Sequence, residues 1–189
     1  MSIKQIKELF NNKPVLDNAW KKYNETSDRF IKEINELNPQ LVLDLGCGNN
    51  IYKGKINNLV GIDILDNNLQ DLKCDIKNLP FKTNTVDVII AFGSVNFGND
   101  EIIDSQFREI MRVCKPGAHV YFRVITNHTH NCYYSWTEEL LIEKSKKFNL
   151  EFLTMPKKIY KNKKENYSHW KKTGYRSSER IFCVWEVKK

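Results

Sequence analysis

Leu41-Val42-Leu43-Asp44-Leu45-Gly46-Cys47-Gly48 decides how the rest of this 189-residue chain is read. Apolar residues of strand character surround an acid, and two glycines follow at alternate positions. A buried parallel strand that turns into a loop passing close to a ligand has this form. A side chain in place of either glycine would fill the ligand's space or resist a positive-φ turn. Asp44 falls at the carboxyl edge of the predicted strand, where open α/β sheets bind their ligands.

A lone Gly-x-Gly is common, so the strands that follow carry the argument. Leu59-Val60-Gly61-Ile62-Asp63-Ile64 is a second short apolar strand closing on an acid. Asp63 stands 19 positions after Asp44, near the spacing of roughly 20 at which a second-strand carboxylate takes the ribose hydroxyls of a nucleoside. Asp75, in Cys74-Asp75-Ile76, follows a third strand candidate. Val86-Asp87-Val88-Ile89-Ile90-Ala91 is a fourth and runs into Phe92-Gly93-Ser94.

With these strand ends in order, residues 41–125 resemble the class I S-adenosylmethionine-dependent methyltransferases. Val42 to Gly48 is similar to the family's first motif and Gly61-Ile62-Asp63-Ile64 to its second. Cys74 to Phe81 resembles the third and Val86 to Ala91 the fourth. Glu109-Ile110-Met111-Arg112-Val113-Cys114-Lys115-Pro116-Gly117-Ala118 is similar to the helix and turn before the fifth strand. The resemblance implies a Rossmann-like α/β fold: a mostly parallel seven-stranded sheet, helices on both faces and a C-terminal antiparallel hairpin, in one domain spanning 1–189. It implies S-adenosylmethionine as cofactor and S-adenosylhomocysteine as product. Contacts would come from Asp44, Gly46, Cys47, Gly48, Asp63, Ile64, Asp75, Ile76, Phe92 and Gly93. Asp44 would lie near the methionine amine, Asp63 on the ribose, and Asp75 with Ile76 beside the adenine.

The chain also departs from the family. Where a third glycine is usual stands Asn50, a residue that tolerates left-handed backbone. Residues 49–58 are short for the usual first crossover helix and Gly54 interrupts them, so a truncated helix or irregular loop is expected. Lys53-Gly54-Lys55 is similar to a connection in short phage-type members.

Methyl transfer from a sulfonium is an in-line displacement with a good leaving group, so alignment matters most and a base leaves little trace in sequence. Substrate-side candidates are Ser94 and Asn96 after the fourth strand, with a plain turn as the other reading. His128 and His130, in His128-Thr129-His130-Asn131-Cys132, are candidates for a loop above the cleft, or belong to an ordinary polar loop. Their spacing matches no zinc signature, and no metal is expected. The chain lacks the Asn-Pro-Pro-Tyr of amino-directed nucleic-acid methyltransferases, having Ala91-Phe92-Gly93-Ser94 there, and lacks the Pro-Cys pair of the cytosine-carbon enzymes. A nicotinamide dehydrogenase would want glycine near Ile51 and no acid two residues before Gly46.

Helical spacing predicts helices over Ser2–Asn11 and Asp17–Leu37, the latter with Trp20, Tyr23, Phe30, Ile31 and Ile34 and an end at Asn38-Pro39. The resemblance implies that residues 1–38 cover the cleft. An amphipathic helix is predicted over Asp100–Cys114, then a Lys-Pro-Gly turn and a strand over Ala118–Ile125. Ser135-Trp136-Thr137-Glu138 reads as a capping box for a helix ending near Phe148. Leu150–Met155 and Arg180–Val187 should form the final hairpin.

Apolar content of 41% and charged content of 28% are those of an ordinary globular protein. No apolar run reaches the roughly 20 residues of a membrane helix, and Lys4, Lys7 and Glu8 interrupt any signal core. Five isolated cysteines point to a reducing compartment, so the cytoplasm (a host's, if the chain is viral) is the expected location. Residues 1–150 hold 19 Lys+Arg and 19 Asp+Glu; residues 151–189 hold 11 and 4, which is the whole net charge of +7. Lys157 to Arg176 interleaves eight of these cations with Tyr160, Tyr167, His169, Trp170 and Tyr175. That composition suits a phosphate-bearing acceptor, nucleic acid included, or else a solvated 157–179 insertion. A small-molecule acceptor is equally compatible with the motifs. The rival function is a non-catalytic module, a viral structural or nucleic-acid-binding protein that keeps the fold as a scaffold.

Overall fold

The computed structural model describes residues 28–65, 69–126, 132–159 and 180–189. The elements are α1 (Asp28–Glu36), β1 (Val42–Leu45), β2 (Leu59–Asp63), β3 (Leu72–Lys73), β4 (Val86–Phe92), α2 (Asp100–Val113), β5 (Cys114–Ile125), α3 (Glu138–Lys147), β6 (Leu150–Ile159) and β7 (Arg180–Val187). They build one seven-stranded sheet in the order β3-β2-β1-β4-β5-β7-β6. The ladders from β3 to β5 are parallel, and β7 runs antiparallel between β5 and β6. This is the expected Rossmann-like methyltransferase architecture. Strand order reverses between β1 and β4, and at such a switch point the loops leaving the two strands diverge and open a crevice.

Alternation along the strands fills both faces. Leu43, Leu45, Ile89, Ala91, Phe122 and Trp185 face the layer of α2 and α3. Phe107 of α2 packs there against Phe122, Trp136, Phe148 and Trp185. Val42, Val88, Ile90, Tyr121 and Val184 face α1, whose Ile34 is fully buried. The Phe30 ring of α1 lies 5.3 Å from both Phe92 and Tyr121. The central strands β1 and β4 are buried on two sides, which is why they read as continuous apolar runs.

Two side-chain clasps tie the loops beneath the crevice. Asp87 accepts from the backbone N–H of Gln40 and Leu41 (2.9 and 3.0 Å) and pairs with Lys115, so it fixes the entry to β1. Arg112 donates to the carbonyls of Phe81 and Leu79 (2.8 and 2.9 Å) while Glu109 accepts from Leu79 N–H at 2.8 Å. The Glu109–Arg112 pair thus pins the loop after Asp75 onto α2.

Several local expectations shift. Helix α1 is the described part of the Asp17–Leu37 prediction and ends at Asn38, left-handed at φ 48°, before Pro39. Trp20, Tyr23 and the Ser2–Asn11 helix lie outside the described residues. The 49–58 connection is a chain of turns, and Asn50 takes φ 49°. The third strand is only Leu72–Lys73, with Asp75 in the loop beyond it. Lys115-Pro116-Gly117 sits inside β5 as an irregularity between the Val86 and Val88 registers.

Helix α3 begins at Glu138 with Thr137 as N-cap, not Ser135. Trp136 causes that correction: it is buried and donates Nε1–H to the Val95 carbonyl at 2.9 Å, which holds the preceding segment extended. Strand β6 continues through Lys157 and Lys158, so the basic stretch between the last strands falls on 160–179, outside the described residues. Among the described residues no helix is long and apolar enough to cross a membrane.

Candidate active site

Asp44 occupies the third position of β1, opposite Gly61 of β2 and Ile90 of β4. By alternation it points to the α1 side, and it is only 4% exposed. No hydrogen bond or ion pair reaches its carboxylate among the described residues. Burial, and then the charge of Asp63, pushes its pKa up to about 7 against the pull of Arg123. A carboxylate held in that state favours any cation brought to it.

Asp63 closes β2 and is also buried. Its two oxygens accept the N–H of Gly48 at 2.9 Å and of Leu65 at 2.9 Å. The acid therefore clasps the β1 loop to the end of β2, and each oxygen retains a lone pair for a hydroxyl. Ile64 follows it, partly buried. Asp63 lies close enough to Asp44 for its charge to raise the Asp44 pKa.

The loop after β1 is drawn over the end of β2. Gly46 and Cys47 both donate to the Ile62 carbonyl, at 2.7 and 2.9 Å. Gly46 has φ +69°, and a Cβ there would come within 2.5 Å of Ser94 Cβ. Its glycine is required by the β4 loop, where the sequence had suggested the ligand. Gly48 has φ +52° with nothing within 4 Å of a Cβ, so it is the glycine that fronts open space. The buried Cys47 thiol is pushed up to about 12 by burial and by Asp44, Asp63 and Asp71, which leaves it protonated and inert.

Asn50 takes over the structural task of a third glycine and adds a brace. Its Nδ2 donates to the Leu69 carbonyl at 2.9 Å and to Asp71 at 3.1 Å. Asp71 in turn accepts from Gly61 N–H at 2.9 Å and pairs with Lys53. Burial opposes its charge, but those bonds hold its carboxyl below the usual range. Asp75 braces its own turn by accepting Lys77 N–H at 3.0 Å, beside the buried Ile76.

At the end of β4, Gly93 donates to the Arg123 carbonyl at 2.8 Å. Asn96 is fully buried; its Oδ1 accepts Ile125 N–H at 3.1 Å, while its Nδ2 has no partner among the described residues. Ser94 Oγ is likewise buried without one among those residues. Buried polar atoms are rarely left so, and two on one loop beside Gly46 suit a ligand's polar group. His128 and His130 fall outside the described residues. No group of three metal-binding side chains occurs among the described residues.

Sequence reading passed over Arg123 and Tyr52. The Arg123 guanidinium lies 4.5 Å from the centroid of the Phe92 ring. Burial and the neighbouring Arg180 lower it to about 10, with Tyr52 and Asp44 pulling the other way. The Tyr52 hydroxyl, pushed up to about 12 mainly by burial, shares their neighbourhood. An arginine inside Val120-Tyr121-Phe122-Arg123-Val124-Ile125 is itself a signal, because charged residues seldom enter strands buried on both faces.

Residues 9–172 match the family described as hypothetical methyltransferase. No curated protein was found to match the sequence. Among solved structures, a protein of Pyrococcus horikoshii is similar at a TM-score of 0.65 and 13% identity, over 97% of this chain and 99% of that one. The 1,6-didemethyltoxoflavin-N1-methyltransferase of Burkholderia thailandensis, solved with S-adenosylhomocysteine bound, is similar at 0.63 and 11% identity, over 92% and 84%. The [4+2]-cyclase SpnF is similar at 0.60 and 16% identity, over 85% and 80%.

Proposed function

The chain belongs to the family of hypothetical methyltransferases, and from that membership we propose that it transfers a methyl group from S-adenosylmethionine to an acceptor. The observation that carries the reading is the buried Asp44, without a partner among the described residues, beside Asp63 at the switch point of the sheet. The residues present fit the cofactor: a lone buried carboxylate suits an ammonium, Gly48 fronts open space, and Asp63 keeps lone pairs for ribose hydroxyls. When bound, S-adenosylmethionine supplies a methyl on a sulfonium that is ready to leave.

The chain's own residues then bind and orient. Asp44 holds the amine, Asp63 the ribose, and the Asp75–Ile76 turn borders the base. Ser94 and Asn96 offer polar atoms to the acceptor from the β4 loop. The acceptor bears phosphate or another anion; the excess of cations in residues 151–189 supports this, nucleic acid included. Similarity to the [4+2]-cyclase shows that this fold alone does not dictate methyl transfer, so the reaction needs its own test.

Incubation with radiolabelled S-adenosylmethionine and a panel of nucleotides, RNA and small anionic metabolites should move label into one class. Absence of transfer together with absence of binding would contradict the proposal.

A further inference from the structure

Two opposite charges on the α1 side of the sheet stand unpaired among the described residues. Asp44, 4% exposed, has no hydrogen-bond or ion-pair partner among the described residues. Arg123, two rows further along the sheet, has none for its guanidinium either; it rests on the Phe92 ring. Each charge perturbs the other, yet they form no ion pair. The register explains the gap. Asp44 pairs with Ile90 on β4, while Arg123 pairs with Phe92, two residues nearer the carboxyl edge and one strand further across. Phe92, on the strand between β1 and β5, keeps the guanidinium 4.5 Å from its ring centroid. Tyr52 closes the α1 side, its ring 6.5 Å from that of Phe92.

Withdrawing two charges from water is costly unless each is met by an opposite charge or by hydrogen bonds. Elsewhere among the described residues the buried Lys144 is met by Asp100 and Asp104, and the buried Asp63 by the N–H groups of Gly48 and Leu65. Asp44 and Arg123 are left unmet among the described residues, and a molecule that brings both missing partners would complete them. An α-amino acid head carries an ammonium and a carboxylate on one carbon. We infer that Asp44 and Arg123 clamp the zwitterionic amino-acid end of the methyl donor, Asp44 taking the ammonium and Arg123 the carboxylate. This rests on the function proposed above and assigns Arg123 to the donor rather than to the acceptor. It is a positioning residue: holding the carboxylate fixes the chain that carries the sulfur.

The test compares S-adenosylhomocysteine with its decarboxylated counterpart, 5′-S-(3-aminopropyl)thioadenosine, by calorimetry on the full chain and on Arg123→Gln. The wild type should bind S-adenosylhomocysteine about tenfold or more tighter, the scale of a charge-assisted bidentate contact. Arg123→Gln should bind both compounds within about threefold of one another and retain wild-type affinity for the decarboxylated one. That second result separates lost recognition from a damaged fold, which would weaken both. Arg123→Lys, with the charge but not the fork, should recover only part of the preference.

Full discrimination persisting in Arg123→Gln would overturn the assignment. So would equal binding of the two compounds by the wild type, which would hand Arg123 to an anion on the acceptor. Failure of the wild type to bind S-adenosylhomocysteine at all would sink the methyl-donor reading as well.

Discussion

Two clusters of buried charge in this protein are built on opposite terms. Between α2 and α3, Lys144 is 1% exposed in its side chain and meets Asp104 at 2.7 Å and Asp100 at 3.0 Å; Lys147 joins at 2.5 Å. Tyr134 donates to Asp100 at 2.5 Å. Each ion there has its partner. In the crevice, Asp44 and Arg123 have none among the described residues. A saturated network has nothing left to offer a ligand and serves to hold two helices together. An unsaturated one is costly to the empty fold and tolerable only where something else completes it. The contrast separates scaffold from site without reference to any relative.

The largest expected effect lies in the saturated cluster. Lys144→Met removes two charge-assisted hydrogen bonds, leaving Asp104 to Lys147 and the exposed Asp100 to Tyr134, and at about 1.5–3 kcal/mol for each bond should cost about 3–5 kcal/mol in urea unfolding; a loss below about 1 kcal/mol would mean that the network is not structural. Next comes Gly46→Ala, which forces a side chain onto Ser94 at positive φ. It should cost about 2–4 kcal/mol and abolish cofactor binding, whereas unchanged unfolding would show that the two loops are not in contact.

Asp44→Asn should act in the other direction. With its pKa raised to about 7 from 3.8, Asp44 binds a proton more readily in the folded chain than in the unfolded one. Its contribution to stability is thus complete below about pH 4 and is lost as pH rises toward 7. The asparagine variant should therefore gain about 1–3 kcal/mol at neutral pH over the wild type, with the difference vanishing near pH 4. A variant no more stable than wild type at pH 7.5 would argue that the site is not strained. Asp104 has the opposite sign. Its burial is outweighed by the bonds from Lys144 and Lys147, so its pKa is lowered, and its contribution disappears as pH falls through the carboxylate range. The smallest effect belongs to the exposed Lys32–Glu36 pair at 3.6 Å, where Glu36→Gln should shift stability by no more than about 0.5 kcal/mol.

What could be read in the sequence follows the same division. Strand-end acids and glycines announce themselves because a short apolar run fixes their place, and Asp44, Gly46, Gly48 and Asp63 all lie around the one crevice. Asn50 was legible as a left-handed residue, but its brace to Asp71 was not. Asp71 lies among Asp66, Asn67, Asn68 and Gln70, where any polar residue suits a loop. Thr137 lost its capping role to Ser135 in the reading because the extended segment depends on where Trp136 is buried, a tertiary fact. Arg123 was passed over as one charge in a strand, since its meaning depends on a cross-sheet neighbour 79 positions earlier.

The most direct measurement is the affinity for S-adenosylhomocysteine from pH 5.5 to 8.5, in the wild type and in Asp44→Asn. The wild type should bind more tightly as pH rises, by up to about tenfold per unit below pH 7 and then level, because the ammonium needs Asp44 ionised. The variant should bind weakly and without that dependence. Equal affinities in the two proteins, or a wild-type profile flat across pH 7, would contradict a carboxylate kept unpaired for a ligand's cation.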